Sequence, residues 1–403
     1  MSSSLITGTL ADTCTDVVHQ LATTLIAEPP RDPMSNALFL AYYAEFSQDP
    51  KIEILLENAI RRAITSLADG SSPTLLLTGS IGAAWSIAHL VDDPDYVDEL
   101  LVTFDRSLVA SLRHQHPLRE DAGIIAGMSG VIVYALERAT NGNQAIASQL
   151  AQLAVAGISR LATTDNSGTR WITKATELPA EMKTSFPHGL TYCGPGHGAA
   201  GVIAALASVK SLGLNNVDEL ILGAEAWLSF LEATASPPWT AVGTIAEVPG
   251  ERRLASRLSW CEGSLTSAIM RMQGALSLNA AVEPYLAAIL ASAAISPTER
   301  PSLNAELCHG ALSHAYFFHR CWLDYPIAEL AVACLAWVED ALSLRSMDAN
   351  FLRFKTNRTR PDGTFLQGEA GIVLALIALI KGDAPGWERL LGILTPLRRT
   401  LTA

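Results

Sequence analysis

A short glycine phrase recurs along the chain and limits what it can fold into. It reads "LLTGSIGAAWSIAHL" at 76–90, "IIAGMSGVIVYALERA" at 124–139 and "GPGHGAAGVIAALASV" at 194–209. Degenerate copies are "WCEGSLTSAIMRMQGAL" at 260–276 and "LCHGALSHAYFFHRC" at 307–321, and a last copy is "FLQGEAGIVLALIALI" at 365–380. Each is a glycine, two variable residues and a small residue opening an apolar helical run. A helix that is apolar nearly all round has to be buried. Between the copies lie amphipathic helices with one polar face, such as "DYVDELLVTFDRSLVASLRH" at 95–114 and "NVDELILGAEAWLSFLEATA" at 216–235. These suit an outer layer, and the intervals leave room for two helices per repeat.

The alternation predicts an all-α fold: an α/α toroid, a double ring of inner and outer helices, closed so that the array has no exposed end. Small residues let inner helices approach one another, and glycine permits a tight turn at each helix start. The whole chain, 1–403, is read as one such domain. β signals are sparse. "GTRWITKATE" at 168–177 predicts a short strand, and "WTAVGTIAEVPGERR" at 239–253 a loop or hairpin. Both are placed as irregular insertions on one rim, the main one spanning 163–190.

Composition narrows the function. At 403 residues and 49% hydrophobic, the chain can bury a large core. Its formal charge of −12 comes without a long basic run, which argues against nucleic acid or an anionic membrane as partner. No uninterrupted apolar stretch reaches about 18 residues. The start, "MSSSLITGTLADTCTD", lacks a basic segment followed by an apolar one. The expectation is a cytoplasmic protein with no membrane insertion. Cysteines at 14, 193, 261, 308, 321 and 334 are too scattered for a disulfide scaffold, so the thiols are expected free or metal-bound.

Three copies of the phrase carry metal-ligand chemistry at the helix entry: His197 in the third, Cys261 in the fourth, and Cys308–His309 in the fifth. In a ring of equivalent repeats, these positions converge at one end of the axis. Catalytic zinc takes three protein ligands and leaves one position open. Cys261, Cys308 and His309 would supply two thiolates and an imidazole. Neighbours inside a regular helix diverge by about 100°, but at an irregular helix entry before Gly310 both can face one ion. Two thiolates neutralise Zn2+. A third sulfur from a substrate would make the centre anionic and stay nucleophilic at neutral pH. The set suits thiol activation better than water activation. Taken alone, an adjacent Cys-His pair also fits a buried packing thiol.

The other reactive residues read as structure. Cys193, near His197, is expected to be a packing residue. His314 and His319 follow Cys308–His309 on one helix and are expected in the core. His188, His114 and His116 have no ligand cluster around them. A Walker phosphate loop, a dinucleotide fingerprint after a strand and the HExxH motif are all absent from the sequence.

In "GPGHGAAGV", "RLSWCEG" and "LCHG" the chain resembles the lanthionine synthetase C-like family, the stand-alone cyclases of class I lanthipeptides. The repeated glycine phrases extend the resemblance over most of the chain. It implies seven inner and seven outer helices, and zinc held by Cys261, Cys308 and His309. It also implies Michael-type addition of a peptide cysteine to dehydroalanine or dehydrobutyrine, closing a thioether ring. His197 would be a general acid/base, and Arg257 would stabilise the enolate oxygen. Structural roles for both, a core histidine and a rim ion pair, stay open. The partners implied are a dehydrated precursor peptide with its leader, which the 163–190 insertion is a candidate to bind, and a dehydratase. Two positions depart from the family pattern. Where an aspartate would stand four residues before Gly127 there is Gly123, with Asp121 two residues further back. A tyrosine usually follows the first zinc cysteine, and here it is Glu262, a candidate base, binder of a basic substrate group, or solvated rim carboxylate. These departures leave two other readings: addition of a small thiol such as glutathione to dehydroamino acids, and a non-catalytic scaffold for a modified peptide or dehydratase.

Overall fold

The computed structural model describes residues 4–70, 72–114, 121–178, 180–233, 245–247, 258–300, 302–348, 351–355 and 363–398. Long helices dominate the described residues, and they fall into the two classes read from the sequence. One class is buried almost throughout. Ala199–Ser208 has every residue buried, and Ser264–Ser277, Ala311–Asp324 and Glu369–Lys381 are buried over most of their lengths. The other class buries a single stripe. Pro94–Arg113 buries Val97, Leu101, Asp105, Leu108 and Val109, the spacing of one helical face.

Local sequence sets where several helices begin. Asp-Pro starts three helices: Asp32, Asp49 and Asp93 are N-caps, with Pro33, Pro50 and Pro94 at the first helical position. Each aspartate side chain accepts a backbone N–H that the first turn would otherwise leave unpaired. Gly70 and Gly382 end their helices in the left-handed conformation, which glycine adopts without a Cβ penalty.

Contacts gather the chain into two compact units. The first draws on Met1–Pro73, Thr78–Leu90 and Leu290–Trp387. In it, the buried helices form a series: Ala311–Asp324 packs on Glu369–Lys381, which packs on Pro33–Ser47, which packs on Ser80–Leu90. Ala328–Ser343, Gly8–Ala27 and Pro50–Asp69 back this series with their apolar stripes. A hairpin that the sequence reading did not anticipate, Arg345–Asp348 paired antiparallel with Phe351–Phe354, lies against Gly8–Ala27.

The second unit draws on Thr74–Leu77, Val91–Ile289 and Glu388–Ala403. Its buried series is Met128–Thr140, Ala199–Ser208 and Ser264–Ser277. Gln144–Leu161 backs the first of these, and Asp218–Ala233 the second. An antiparallel sheet of four short strands is inserted here, ordered Ala162–Asp165, Gly168–Thr173, Leu190–Tyr192, Ile245–Glu247. The strand expected within 168–177 is thus present over Gly168–Thr173. The described part of 239–253 is a strand that pairs with Leu190–Tyr192 rather than within its own segment. The remainder of 239–253 lies outside the described residues. Among the described residues, no helix is long and apolar enough to cross a membrane.

Candidate metal centre

The glycine phrases build the turns that enter the buried helices. Gly263 and Gly310 are the N-caps of Ser264–Ser277 and Ala311–Asp324. Each turn folds back so tightly that no side chain fits. A Cβ on Gly263 would run into the Ser259 carbonyl oxygen, and one on Gly310 into the Glu306 backbone nitrogen. The turns carrying Cys261 and Cys308 therefore have one compact shape, fixed by the helix start that follows them.

Backbone hydrogen bonds tie neighbouring turns together. In the second unit, the amides of Ile124 and Ile125 donate to the Gly196 carbonyl at 3.0 and 3.1 Å, and the Gly196 amide donates to the Cys261 carbonyl at 3.1 Å. A Cβ on Gly196 would sit 3.0 Å from that of Cys261, so glycine lets the third turn lie flat on the fourth. In the first unit, the Cys308 amide donates to the Leu366 carbonyl at 2.9 Å. The sequence repeat thus becomes a physical stack of turns.

Cys261, Cys308 and His309 come together. Their ligand atoms all lie within 4.8 Å of one another, and among the described residues they are the one such group of cysteine, histidine and acidic side chains. Both thiols are buried, at 7% and 4% exposure, while His309 is partly exposed. Its Nε2 is 3.7 Å from the Cys308 sulfur, and its Nδ1 is 3.3 Å from Oε1 of Glu306. Two sulfurs and an imidazole nitrogen at this spacing, with the imidazole on the solvent side, are a donor set that could hold a transition metal such as zinc. The remaining cysteines, Cys14, Cys193, Cys321 and Cys334, are buried and form no disulfide. Burial pushes the Cys14 thiol up to about 11, which keeps it protonated and inert.

His197 sits in a second cluster. Its Nδ1 is 3.6 Å from Oδ2 of Asp121, with both side chains part-exposed. Asp121 also accepts from the Gly123 amide at 2.6 Å, which aims the carboxylate back across its own turn. Asp121 thus lies beside the histidine from two residues before Gly123. Burial alone would lower the pKa of His197. The nearby Asp121 carboxylate, with the charges of Cys261 and Glu262, outweighs burial and raises it. Tyr192, which sequence reasoning missed, lies over the imidazole with ring centroids 5.1 Å apart. Burial and then the charges of Glu262, Asp121 and Cys261 push its phenol up to about 12. Tyr192 also touches the small core of the insertion, formed by Leu178, Phe186 and Leu190. Its place in "TYCGPGHG", five residues before His197, was the available signal.

The other predicted residues sort as follows. Glu262 is half-buried, and its charge reaches both His197 and Tyr192. Arg257 lies outside the described residues, as does His116. His314 and His319 are buried, as expected of core residues, and Cys193 is fully buried. His188 and His114 are exposed and stand in no metal-binding group. Glu306 was not singled out from the sequence. An acidic residue in the apolar stretch "NAELCHG" was its signal.

No curated protein matches the sequence. Among solved structures, the chain is similar to one named nisin cyclase, at 18% sequence identity and a TM-score of 0.68, over 94% of this chain and 97% of that one. At that identity the likeness speaks for the fold, an α/α toroid. The family model described as lanthionine synthetase C-like protein matches residues 34–391, most of the sequence. With the fold and the stacked glycine turns, this settles its kinship: the chain belongs to the lanthionine synthetase C-like protein family.

Proposed function

We propose that the protein is a zinc-dependent lanthipeptide cyclase. It would join a cysteine thiol of a precursor peptide to a dehydroalanine or dehydrobutyrine of the same peptide. The observation that carries this reading is the approach of Cys261, Cys308 and His309 to within 4.8 Å, in a chain of this family. When bound to two thiolates and an imidazole, zinc lowers the pKa of an incoming thiol and favours a further sulfur over water.

The chain's own residues then have two tasks. Cys261 and Cys308 are desolvated, so charge interactions at their sulfurs are little screened. His197 moves the proton. Its Nδ1 faces Asp121, which leaves Nε2 as the exchanging end. The thiol loses its proton, its sulfur forms a C–S bond to the β-carbon of the dehydro residue, and the double-bond electrons move to the α-carbon as an enolate. The imidazolium of His197 returns a proton to that carbon, so the net change is addition of S–H across C=C. Asp121 stabilises the imidazolium. Arg257, placed by sequence alone, is assigned to the enolate oxygen, and Glu262 adds negative charge beside His197. The 163–190 insertion is the proposed holder of the leader segment, and a dehydratase is the proposed source of the dehydro residues.

Reconstitution with a dehydrated precursor tests this. Ring closure removes a free thiol without changing peptide mass, so alkylation should fall in the presence of enzyme and not with Cys308→Ala. Unchanged alkylation would contradict cyclisation. A mass gain on the precursor equal to an added small thiol would point to intermolecular addition instead. Full activity of Cys308→Ala would remove the metal from the mechanism.

A further inference from the structure

Glu306 has a carboxylate shut away from solvent. Its side chain is 0% exposed, inside the turn that closes on Gly310. A buried carboxylate is costly unless hydrogen bonds and charge compensate it. Its Oε1 lies 3.3 Å from Nδ1 of His309, three residues along the chain. The other ring nitrogen, Nε2, is the one beside the Cys308 sulfur, at 3.7 Å. The two ends of the imidazole thus have different tasks. With the proton on Nδ1, that nitrogen would donate to the carboxylate and Nε2 would keep its lone pair on the side of the thiols.

We infer that Glu306 is a positioning residue of the metal centre: it holds His309 in its Nδ1–H form and aims Nε2 at the cation that Cys261 and Cys308 would share. The inference rests on the zinc reading above. Glu306 stands outside the group whose ligand atoms could meet one ion, so it acts through His309 and not as a ligand. A histidine whose second nitrogen donates to a carboxylate is fixed in orientation and is a stronger donor. The carboxylate also places a further negative charge behind two thiolates. That favours a centre that leaves a guest sulfur nucleophilic over one that polarises water.

A purely structural role for Glu306 is separable from this one. The turn is made by backbone: the Gly310 amide donates to the Glu306 carbonyl at 2.8 Å, and the side chain takes no part in that bond. The side chain can therefore be changed while the turn keeps its own hydrogen bond.

The test uses the full chain and zinc itself, in competition with a chelator of known affinity. Glu306→Ala should bind zinc about 10- to 100-fold more weakly than the wild type. Glu306→Gln, which keeps an oxygen acceptor for Nδ1–H but loses the charge, should fall between them. Thermal unfolding of the zinc-free Gln variant should match the wild type, which a structural role would not allow. Nitrogen-15 spectra of the zinc-loaded wild type should show the His309 proton on Nδ1. They decide the matter even if the Ala variant fails to fold. Equal zinc affinity in all three proteins, or a proton on Nε2, overturns the positioning role and leaves the zinc reading standing. A wild type that binds no stoichiometric zinc overturns both.

Discussion

Nδ1 of His197 and Oδ2 of Asp121 face each other across 3.6 Å, although the two residues come from different repeats of the glycine phrase. The carboxylate stabilises the protonated imidazole and so contributes to a pKa above the ordinary histidine value. If His197 delivers the proton that ends ring closure, activity on the alkaline side should fall as this group deprotonates. Asp121→Asn keeps the shape but removes the charge. Its alkaline limb should move to lower pH, with turnover reduced about 10- to 1000-fold. A pH–rate profile of cyclisation checks this, and an unmoved limb would separate Asp121 from the proton transfer.

Much of this architecture is legible in the sequence, because glycine and apolar periodicity report directly on helix starts and burial. "GPGHGAAGVIAALASV" announces a turn and a fully buried helix, and Gly198 followed by Ala199–Ser208 is that turn and helix. Cys261 and Cys308 could be named because each stands two residues before the glycine that caps its helix, and His309 because it lies between Cys308 and that glycine. What the sequence hides is reach. Gly123 stands where an aspartate was expected, and nothing in the string says that a curled turn brings Asp121 round instead. The hairpin of Arg345–Asp348 and Phe351–Phe354 is hidden for another reason. Its strands are four residues each, and the segment buries Leu352 and Phe354, too few apolar positions to show alternation. Tyr192 and Glu306 escaped because their importance lies in what they touch, an imidazole in each case.

The turn at Gly310 makes a steric prediction. Gly310→Ala would drive a methyl group into the backbone of residues 305 and 306, which cannot yield as a flexible side chain does. The cost expected is on the order of 1–3 kcal/mol. Cys308 and His309 ride on the same turn, so zinc affinity should fall with stability. Thermal unfolding with and without a chelator reads both. A variant as stable as the wild type would mean that the turn is looser than its backbone contacts indicate.

Acid should weaken the fold through His314. Both its ring nitrogens are buried without a hydrogen-bond partner among the described residues. Its ring stands edge-on to Trp337 at 4.4 Å between centroids. Burial, with a smaller effect from His309, lowers its pKa to about 3. In the unfolded chain a histidine protonates near pH 6.5. Between those values the unfolded state binds a proton that the folded state refuses, so stability declines as pH drops from about 6.5 towards 3. His314→Phe should flatten that decline by up to about 1.4 kcal/mol per pH unit. Denaturant unfolding at a series of pH values measures the slope, and identical slopes would show that His314 is charged in the folded state.

A buried ion network holds the second unit's first inner helix. Arg138 donates from Nε to Asp105 at 3.1 Å and from a terminal nitrogen to Asp98 at 2.5 Å, and the Tyr134 hydroxyl donates to Asp105 at 2.5 Å. Arg138 and Asp105 are nearly inaccessible. Arg138→Ala would leave the Asp105 carboxylate buried without its cation, at a cost of about 3–5 kcal/mol. Replacing both partners, as Arg138→Met with Asp105→Leu, should cost far less. Chemical unfolding of the single and double variants separates the two cases, and a mild single variant would show that water already reaches the site.

On the proposed function, Cys261, Cys308 and His309 share one zinc ion with room for a substrate sulfur. X-ray absorption at the zinc edge of the purified protein tests it most directly. One zinc per chain is expected, surrounded by two sulfurs and at least one nitrogen, with a third sulfur appearing when a thiol peptide is added. Substoichiometric metal, or a zinc environment of only nitrogen and oxygen, would contradict it.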